Sequence, residues 1–161
     1  MILIALGANL PGPSGPPART LGAALRRLAE LGVEIRSVSA FYATPAWPDP
    51  AAPPFVNAAA LLATRYQPVE LLSLLHRVET EFGRKRSAPN ASRTLDLDLL
   101  DYDGRSLADG IVLPHPRIAE RSFVLAPLAE IVPDWRHPLT GRTAAAMLAA
   151  LPDRDAPRRL P

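Results

Sequence analysis

The sequence predicts one α+β domain with a ferredoxin-like core, in which an antiparallel sheet carries helices on one face. Two observations indicate this fold class. Strand-like and helix-like segments follow one another in the order βαββαβ, the split βαβ arrangement of ferredoxin-like domains. The chain has 161 residues with 48% hydrophobic and 21% charged content, and no stretch resembles a linker. We therefore expect residues 1–161 to form a single domain with a substantial core.

The first half of the core begins with a strand and a helix. Residues 2–6 form a short apolar run that is typical of a buried strand. The Pro- and Gly-rich run 9–17 predicts a loop, and apolar residues at helical spacing then predict a helix over 18–31 that ends at Gly32. Alternation of apolar and polar residues predicts a second strand from residue 33 toward residue 42.

The second half of the core repeats this pattern after a proline-rich loop. Residues 44–54 contain five prolines, and a third strand is predicted over 55–64. Pro68 opens the clearest helix, which ends at Gly83, and a fourth strand follows over 95–100. The apolar stripe of that helix consists of Leu71, Leu74, Leu75, Val78 and Phe82.

The C-terminal part is predicted to add helices to this core. Apolar spacing favours helices over 122–131 and 143–151. The Arg- and Pro-rich tail from residue 153 is expected to be frayed, because it has no apolar pattern that would hold it to the core.

Composition restricts the kinds of partner and site. The chain has no cysteine, which excludes disulfides and thiolate metal sites and leaves oxygen or imidazole ligands for any metal. All but one of its 18 basic residues are arginines, and the net charge of +2 suits an anionic partner. No apolar run approaches the roughly 20 residues that cross a bilayer, and residues 1–7 do not resemble a signal peptide. We expect a cytoplasmic protein with no membrane partner.

Two aspartates on the predicted fourth strand form the most informative motif. Asp96 and Asp98 are two residues apart, so both side chains project from one face of the strand. Adjacent carboxylates repel unless a cation lies between them, and Mg²⁺ is commonly held by one or two carboxylates together with substrate phosphates. The alternative is a hydrated edge strand whose polar face has no function.

Basic residues on both sides of the motif favour a polyphosphate ligand. Guanidinium and imidazole groups are suitable donors to phosphate oxygens. The basic residues are Arg77, Arg84, Lys85, Arg86, Arg93, His115, Arg117 and Arg121. No Gly-x-x-x-x-Gly-Lys-Ser/Thr run is present, which excludes a P-loop kinase.

A family resemblance connects these motifs. The run Arg93-Thr94-Leu95-Asp96-Leu97-Asp98 is similar to the signature of the 6-hydroxymethyl-7,8-dihydropterin pyrophosphokinases, which transfer pyrophosphate from ATP to a pterin alcohol in folate biosynthesis. Further segments resemble the same family in the same order, at residues 5–10, 39–45, 55–59, 113–116 and 121–128. Residues 87–92 depart from the family, because they lack the aromatic that relatives often carry there.

The resemblance implies a role for each candidate residue. Asp96 and Asp98 would hold two Mg²⁺ ions and act in catalysis together with Arg84 and Arg93. The implied ATP contacts are Glu79, Arg84, Arg86, Arg93, His115 and Arg121. The implied pterin contacts are Thr44, Pro45, Ala46, Phe55, Asn57 and Phe123. The resemblance identifies no general base, and we expect a monomer.

Two other readings remain at this point. A ferredoxin-like RNA-binding module would require aromatic residues on the central strands, where this chain has leucines and two aspartates, and we expect no nucleic-acid partner. A pterin-binding relative without activity is disfavoured by the intact aspartate pair and Arg93. Without the family resemblance, Phe55 and Phe123 would be read as core aromatics and His115 as a turn residue.

Overall fold

The chain folds around one antiparallel sheet. The computed structural model describes residues 1–47, 49–85, 92–152 and 156–161. The strands within these residues are β1 (Ile2–Ala8), β2 (Glu34–Val38), β3 (Tyr42–Thr44), β4 (Phe55–Ala63), β5 (Asp96–Tyr102) and β6 (Arg158–Arg159). The helices are α1 (Pro17–Glu30), α2 (Pro68–Glu81), α3 (Ser122–Ile131) and α4 (Ala144–Leu148), with a 3₁₀ turn at Ile118–Glu120.

The sheet has the predicted ferredoxin-like topology. The strand order is β5-β1-β4-β3-β6, and β2 also pairs with β4. Every pairing is antiparallel. The strand with the two aspartates was expected to be central, but β5 lies at the end of this order with β1 as its strand neighbour.

The predicted second strand is interrupted, which the alternating pattern did not indicate. The break between β2 and β3 lies at Ser39, whose hydroxyl accepts a hydrogen bond from the amide of Ala59 at 3.0 Å and donates to the carbonyl of Ala40. A side chain thus occupies a position that a strand carbonyl would take, and the ladder stops there.

The expectation of a frayed tail is wrong for its last residues. Arg159 lies opposite Tyr42, and Arg158 lies opposite Ala43, so β6 extends the sheet beyond β3. The signal is hard to find in the sequence because a two-residue strand forms by pairing with a distant partner and needs no apolar pattern of its own.

Helices cover both faces of the sheet, whereas the sequence predicted one. One hydrophobic cluster is buried between the sheet and helices α1 and α2, and β1 contributes Ile2, Ile4 and Leu6 to it. The opposite face buries a second cluster between the sheet and the C-terminal helices, with Leu3 from β1 and Leu125 from α3. None of the helices in the described ranges is long and apolar enough to cross a membrane.

Candidate active site

A row of residues across the sheet forms the floor of the candidate site. In this row Asn57 of β4 lies opposite Gly7 of β1, and Gly7 in turn lies opposite Asp96 of β5. Cross-strand partners share a face, and here it is the face of α3 and α4. A Cβ atom at Gly7 would lie 3.2 Å from Oδ1 of Asn57 and 4.0 Å from Cβ of Asp96. Glycine therefore leaves space between a predicted pterin residue and a predicted metal residue.

Asp96 is bound by two arginines from different segments. Arg84, which follows α2, donates to Oδ1 at 2.5 Å, and Arg93, which precedes β5, donates to Oδ2 at 2.7 Å. All three side chains are about one fifth exposed, so these ion pairs are shielded but open to a ligand. The arrangement directs positive charge to the end of β5 where the motif begins.

Glu79 anchors this network from within the core. It lies near the end of α2 and is 3% exposed. Its Oε1 accepts hydrogen bonds from the amide of Leu97 at 2.7 Å and from the guanidinium of Arg84. Burial raises the pKa of Glu79 to about 7, although the amide and Arg84 oppose the shift. Glu79 thus connects α2 to β5 and fixes Arg84 beside Asp96.

Asp98 lies on the same face in less fully paired surroundings. Arg121, just before α3, donates to its Oδ2 at 3.3 Å. Burial and the neighbouring charge of Asp96 raise the pKa of Asp98 above its usual value. The amide of His115 donates to the carbonyl of Leu100, which holds that histidine beside β5, and burial lowers the pKa of the imidazole.

Two aromatic rings accompany the arginines. The guanidinium carbon of Arg93 lies 5.8 Å from the ring centre of Phe55, and that of Arg121 lies 5.6 Å from the ring centre of Phe123. Both rings are partly exposed rather than fully buried. Each predicted pterin-stacking ring is therefore adjacent to a predicted phosphate-binding arginine.

The remaining predicted pterin residues cluster where β3 ends. Asn57 is 4% exposed and donates from Nδ2 to the hydroxyl of Thr44 at 2.9 Å. Ala46 is buried, whereas Pro45 is exposed. The structure thus places these residues at the end of β3 and on β4, while no site contact is assigned to Pro45 or Ala46, and Arg86 lies outside the described residues.

Asn9 organises the site, although the sequence did not single it out. It is 2% exposed, and its Oδ1 accepts the amide of Arg93 at 2.8 Å. Its Nδ2 donates to the carbonyl of Pro53 and to the hydroxyl of Ser92, each at 3.0 Å. Asn9 therefore ties the segment of Arg93 to the loop before β4. Two signals were available: a polar residue directly after a buried strand, and the family resemblance of residues 5–10.

The carboxylates fit a metal that is bound together with a ligand. Within the described ranges, no three His, Asp or Glu side chains are arranged to hold an ion by themselves. Asp96 and Asp98 offer oxygen donors on one face, which suits Mg²⁺ when phosphate oxygens and water complete the octahedron. The sequence predicted such a shared coordination, and the metal assignment stays a prediction.

Comparisons with known proteins agree with this geometry. Residues 3–133 match the family model described as 7,8-dihydro-6-hydroxymethylpterin-pyrophosphokinase (HPPK). The chain belongs to the HPPK family. The match runs from the second residue of β1 through β5 and includes all the candidate site residues.

Individual relatives are similar over most of the chain. A 2-amino-4-hydroxy-6-hydroxymethyldihydropteridine pyrophosphokinase from Synechocystis is 38% identical, over 91% of this chain and 73% of the relative. One from Pseudomonas aeruginosa is 39% identical, over 94% of this chain and 91% of the relative. Plasmodium falciparum HPPK-DHPS has the same fold, with a TM-score of 0.68 at 13% identity over 92% of this chain and 43% of that one. The structural likeness supports the ferredoxin-like HPPK fold.

Proposed function

We propose that this HPPK family member transfers the terminal pyrophosphate of ATP to the hydroxymethyl oxygen of 6-hydroxymethyl-7,8-dihydropterin, a step of folate synthesis. The observation that carries the proposal is the row Asn57–Gly7–Asp96. It sets Asn57, the proposed pterin residue, and Asp96, the proposed metal ligand, on the strands either side of β1, with space between them at Gly7. The two substrates would meet over that floor.

The reaction exchanges one oxygen–phosphorus bond for another. The pterin hydroxymethyl oxygen attacks the β-phosphorus of ATP, and the bond from that phosphorus to the oxygen it shares with the α-phosphate breaks. AMP leaves with the electron pair of that bond, and the hydroxyl proton is released to solvent. No described side chain is assigned as a base, so we attribute the acceleration to positioning and electrostatic stabilisation.

The arginines would neutralise the negative charge that develops on the phosphate oxygens and the departing oxygen during transfer. Arg84 and Arg93 lie on either side of Asp96, and Arg121 is adjacent to Asp98. Guanidinium groups in these positions would donate to the β- and γ-phosphates and to the departing oxygen. Glu79 acts through Arg84, and His115 would contribute a neutral donor or acceptor, since burial lowers its pKa.

Asp96 and Asp98 would hold two Mg²⁺ ions together with the phosphates. These ions supply charge neutralisation at the phosphate oxygens when they are bound. The Asp98 side chain forms a 3.3 Å pair with Arg121, and a cation would offset the burial and the repulsion from Asp96 that raise its pKa. Dependence on Mg²⁺ follows from this assignment.

The pterin would lie between two aromatic rings, and polar groups of the protein would form hydrogen bonds with its edge. Phe55 and Phe123 would stack on its two faces, and Asn57 with the backbone at Thr44, Pro45 and Ala46 would bond its amide-like edge. A flat heterocycle gains from stacking on both faces, and an Asn side chain offers a donor and an acceptor together.

We further propose that the chain acts in the cytoplasm as a monomeric single domain on these two substrates, without a nucleic-acid or membrane partner. The proposed site is built entirely from one chain, and both substrates are small and water-soluble. The central strands support the same view, because β1 and β5 present Ala5, Gly7, Asp96 and Asp98 on the site face rather than aromatics for base stacking.

Product analysis tests the proposal. The purified protein is incubated with ATP, Mg²⁺ and the pterin alcohol, and the nucleotides and pterins are separated by liquid chromatography with mass detection. The expected products are AMP and the pterin diphosphate in equal amounts, and omission of either substrate should abolish AMP formation. ADP as the nucleotide product would contradict pyrophosphate transfer.

A further inference from the structure

The last described residues add a strand to the sheet beside the proposed pterin site. Arg159 in β6 lies opposite Tyr42, and the amide of Leu160 donates to the carbonyl of Phe41 at 2.8 Å. β3 has only three residues, so β4 alone offers it few ladder bonds. β6 gives β3 a second partner strand and removes it from an edge position.

A carboxylate from α3 connects these strands. Glu130 accepts hydrogen bonds from the amide of Ala40 at 3.2 Å and from the hydroxyl of Tyr42 at 2.9 Å. Arg159 donates to the same carboxylate at 3.4 Å. We call Glu130, Tyr42 and β6 the C-terminal brace, since together they link the end of α3 to β3 and to the chain's last described strand.

Both elements that the brace joins also carry proposed pterin residues. β3 ends at Thr44, whose hydroxyl accepts from Asn57, and Tyr42 lies opposite Asn57 in the β3–β4 register. Phe123 lies in the first turn of α3, and Glu130 lies in its last turn. The position of β3 relative to α3 therefore sets the spacing between the polar and the stacking residues.

Most of the proposed phosphate contacts lie far from the brace, although Arg121 directly precedes α3. β5, Arg84 and Arg93 lie at the opposite end of the strand order from β6. The family match ends at residue 133, so β6 lies beyond it although it pairs with a strand inside it. A change in the brace should consequently affect one substrate more than the other.

The contacts of the brace differ in strength. The side chain of Arg159 is 67% exposed, and such surface ion pairs contribute little. The hydroxyl of Tyr42 bonds a charged acceptor that is 29% exposed, and such bonds are stronger than neutral ones. The backbone pairing of β6 restrains β3 directly.

We propose that the C-terminal brace positions β3 against α3 and thereby sets the affinity of the enzyme for the pterin, while nucleotide binding depends on it much less. This inference rests on the proposed function. Its members are positioning residues, because they act on the pterin through Thr44, Asn57 and Phe123.

Steady-state kinetics with each substrate varied in turn tests the brace. The variants are Glu130→Ala, Tyr42→Phe and a chain that lacks residues 158–161. Glu130→Ala and the shortened chain should raise the KM for the pterin roughly tenfold, and Tyr42→Phe should raise it by about two- to threefold. The KM for ATP and kcat should stay within about twofold of the wild type.

Two control variants distinguish a positioning role of the brace from a general loss of stability of the fold. Arg158→Ala removes the neighbouring charge on β6, which has no ion pair within the described residues, and should leave both KM values unchanged. Glu130→Gln keeps an oxygen that can accept from Tyr42 and should recover most of the pterin affinity.

Specific results would overturn the inference. An unchanged pterin KM in Glu130→Ala, or equal increases for both substrates, would contradict it. If the shortened chain does not fold, the two point variants decide the matter. If the wild type forms no AMP, the proposed function fails instead, and calorimetry with the pterin alone on wild type and Glu130→Ala then decides whether the brace governs pterin binding.

Discussion

Asp96 and Asp98 share a face of β5, yet their surroundings differ. Asp96 is bonded by Arg84 and Arg93, whereas Asp98 has one longer contact with Arg121. Burial and the neighbouring charge of Asp96 raise the pKa of Asp98, so holding Asp98 ionised costs free energy. The two residues should therefore differ in their effect on stability, although we expect both to be needed for transfer.

Asparagine substitutions test this distinction. Asp96→Asn and Asp98→Asn should each lower the rate of AMP formation by roughly 100-fold or more, since each removes charge from the phosphate site. Asp98→Asn should keep or raise the melting temperature, and Asp96→Asn should lower it, because two arginines lose their partner. Thermal melts beside activity measurements check both statements. An active Asp98→Asn enzyme would contradict the metal assignment.

The aromatic assignment predicts a substrate-specific loss. Phe123→Ala should weaken pterin binding by about 1–3 kcal/mol, the worth of one stacked face, with little change for ATP. Calorimetry with the pterin and, separately, with a non-hydrolysable ATP analogue measures both. Phe123→Leu keeps apolar volume without the ring and serves as the control. Equal losses for both ligands would mean that Phe123 acts as a core residue.

At the scale of elements, α2 and β5 are connected by a buried acid. Glu79 bonds the amide of Leu97, and its pKa is raised to about 7 by burial from an unfolded value near 4.5. Between these values the folded state binds more protons than the unfolded state. The contribution of Glu79 to the free energy of unfolding is therefore most favourable at low pH and declines as pH rises toward and through 7.

Comparison of Glu79→Gln with the wild type isolates that titration. The amide side chain keeps an acceptor for Leu97 but cannot ionise, so the variant should gain melting temperature relative to the wild type as pH rises from about 5 to about 8, across the range between the two pKa values and just above it. Glu81→Gln is the matched control on the same helix. Its pKa is lowered by Arg27 and Arg77, so its difference from the wild type should be flat in this window. A flat difference for Glu79→Gln would mean that the residue stays charged.

Features that depend on local spacing could be predicted from the sequence, whereas features that depend on pairing between distant strands could not. The i, i+2 spacing of Asp96 and Asp98 was enough to predict that they share a face, because it depends only on strand geometry. The placement of Gly7 between Asn57 and Asp96 depends on which residues pair across strands, which no local pattern states. The break at Ser39 and the strand β6 escaped prediction for the same reason.

At the scale of the whole molecule, two cores share one sheet. Ile4 belongs to the cluster under α1 and α2, and its neighbour Leu3 belongs to the cluster under α3 and α4. The C-terminal helices therefore pack on the same sheet as α1 and α2, as the expected single domain requires. The site lies on the face of these later helices, which explains why its residues come from both halves of the chain.

Calorimetry tests whether the two cores unfold together. Leu3→Ala and Ile4→Ala each remove a fully buried side chain and should each cost about 2–5 kcal/mol. Because both residues lie on β1, each variant should shift one common transition to lower temperature. Two separate transitions, with each variant shifting only its own, would contradict a single domain over residues 1–161.

The central claim is the transfer of pyrophosphate at the aspartate pair, and one measurement tests it most directly. Wild type and Asp98→Asn are incubated with ATP labelled in the β-phosphate, the pterin alcohol and Mg²⁺, and parallel samples contain a chelator. The account predicts that the β-label appears on the pterin with one AMP per product in the wild type with Mg²⁺, and is nearly absent in the variant and in the chelated sample. Label that stays on ADP, or that transfers equally well without Asp98 or the metal, would contradict it.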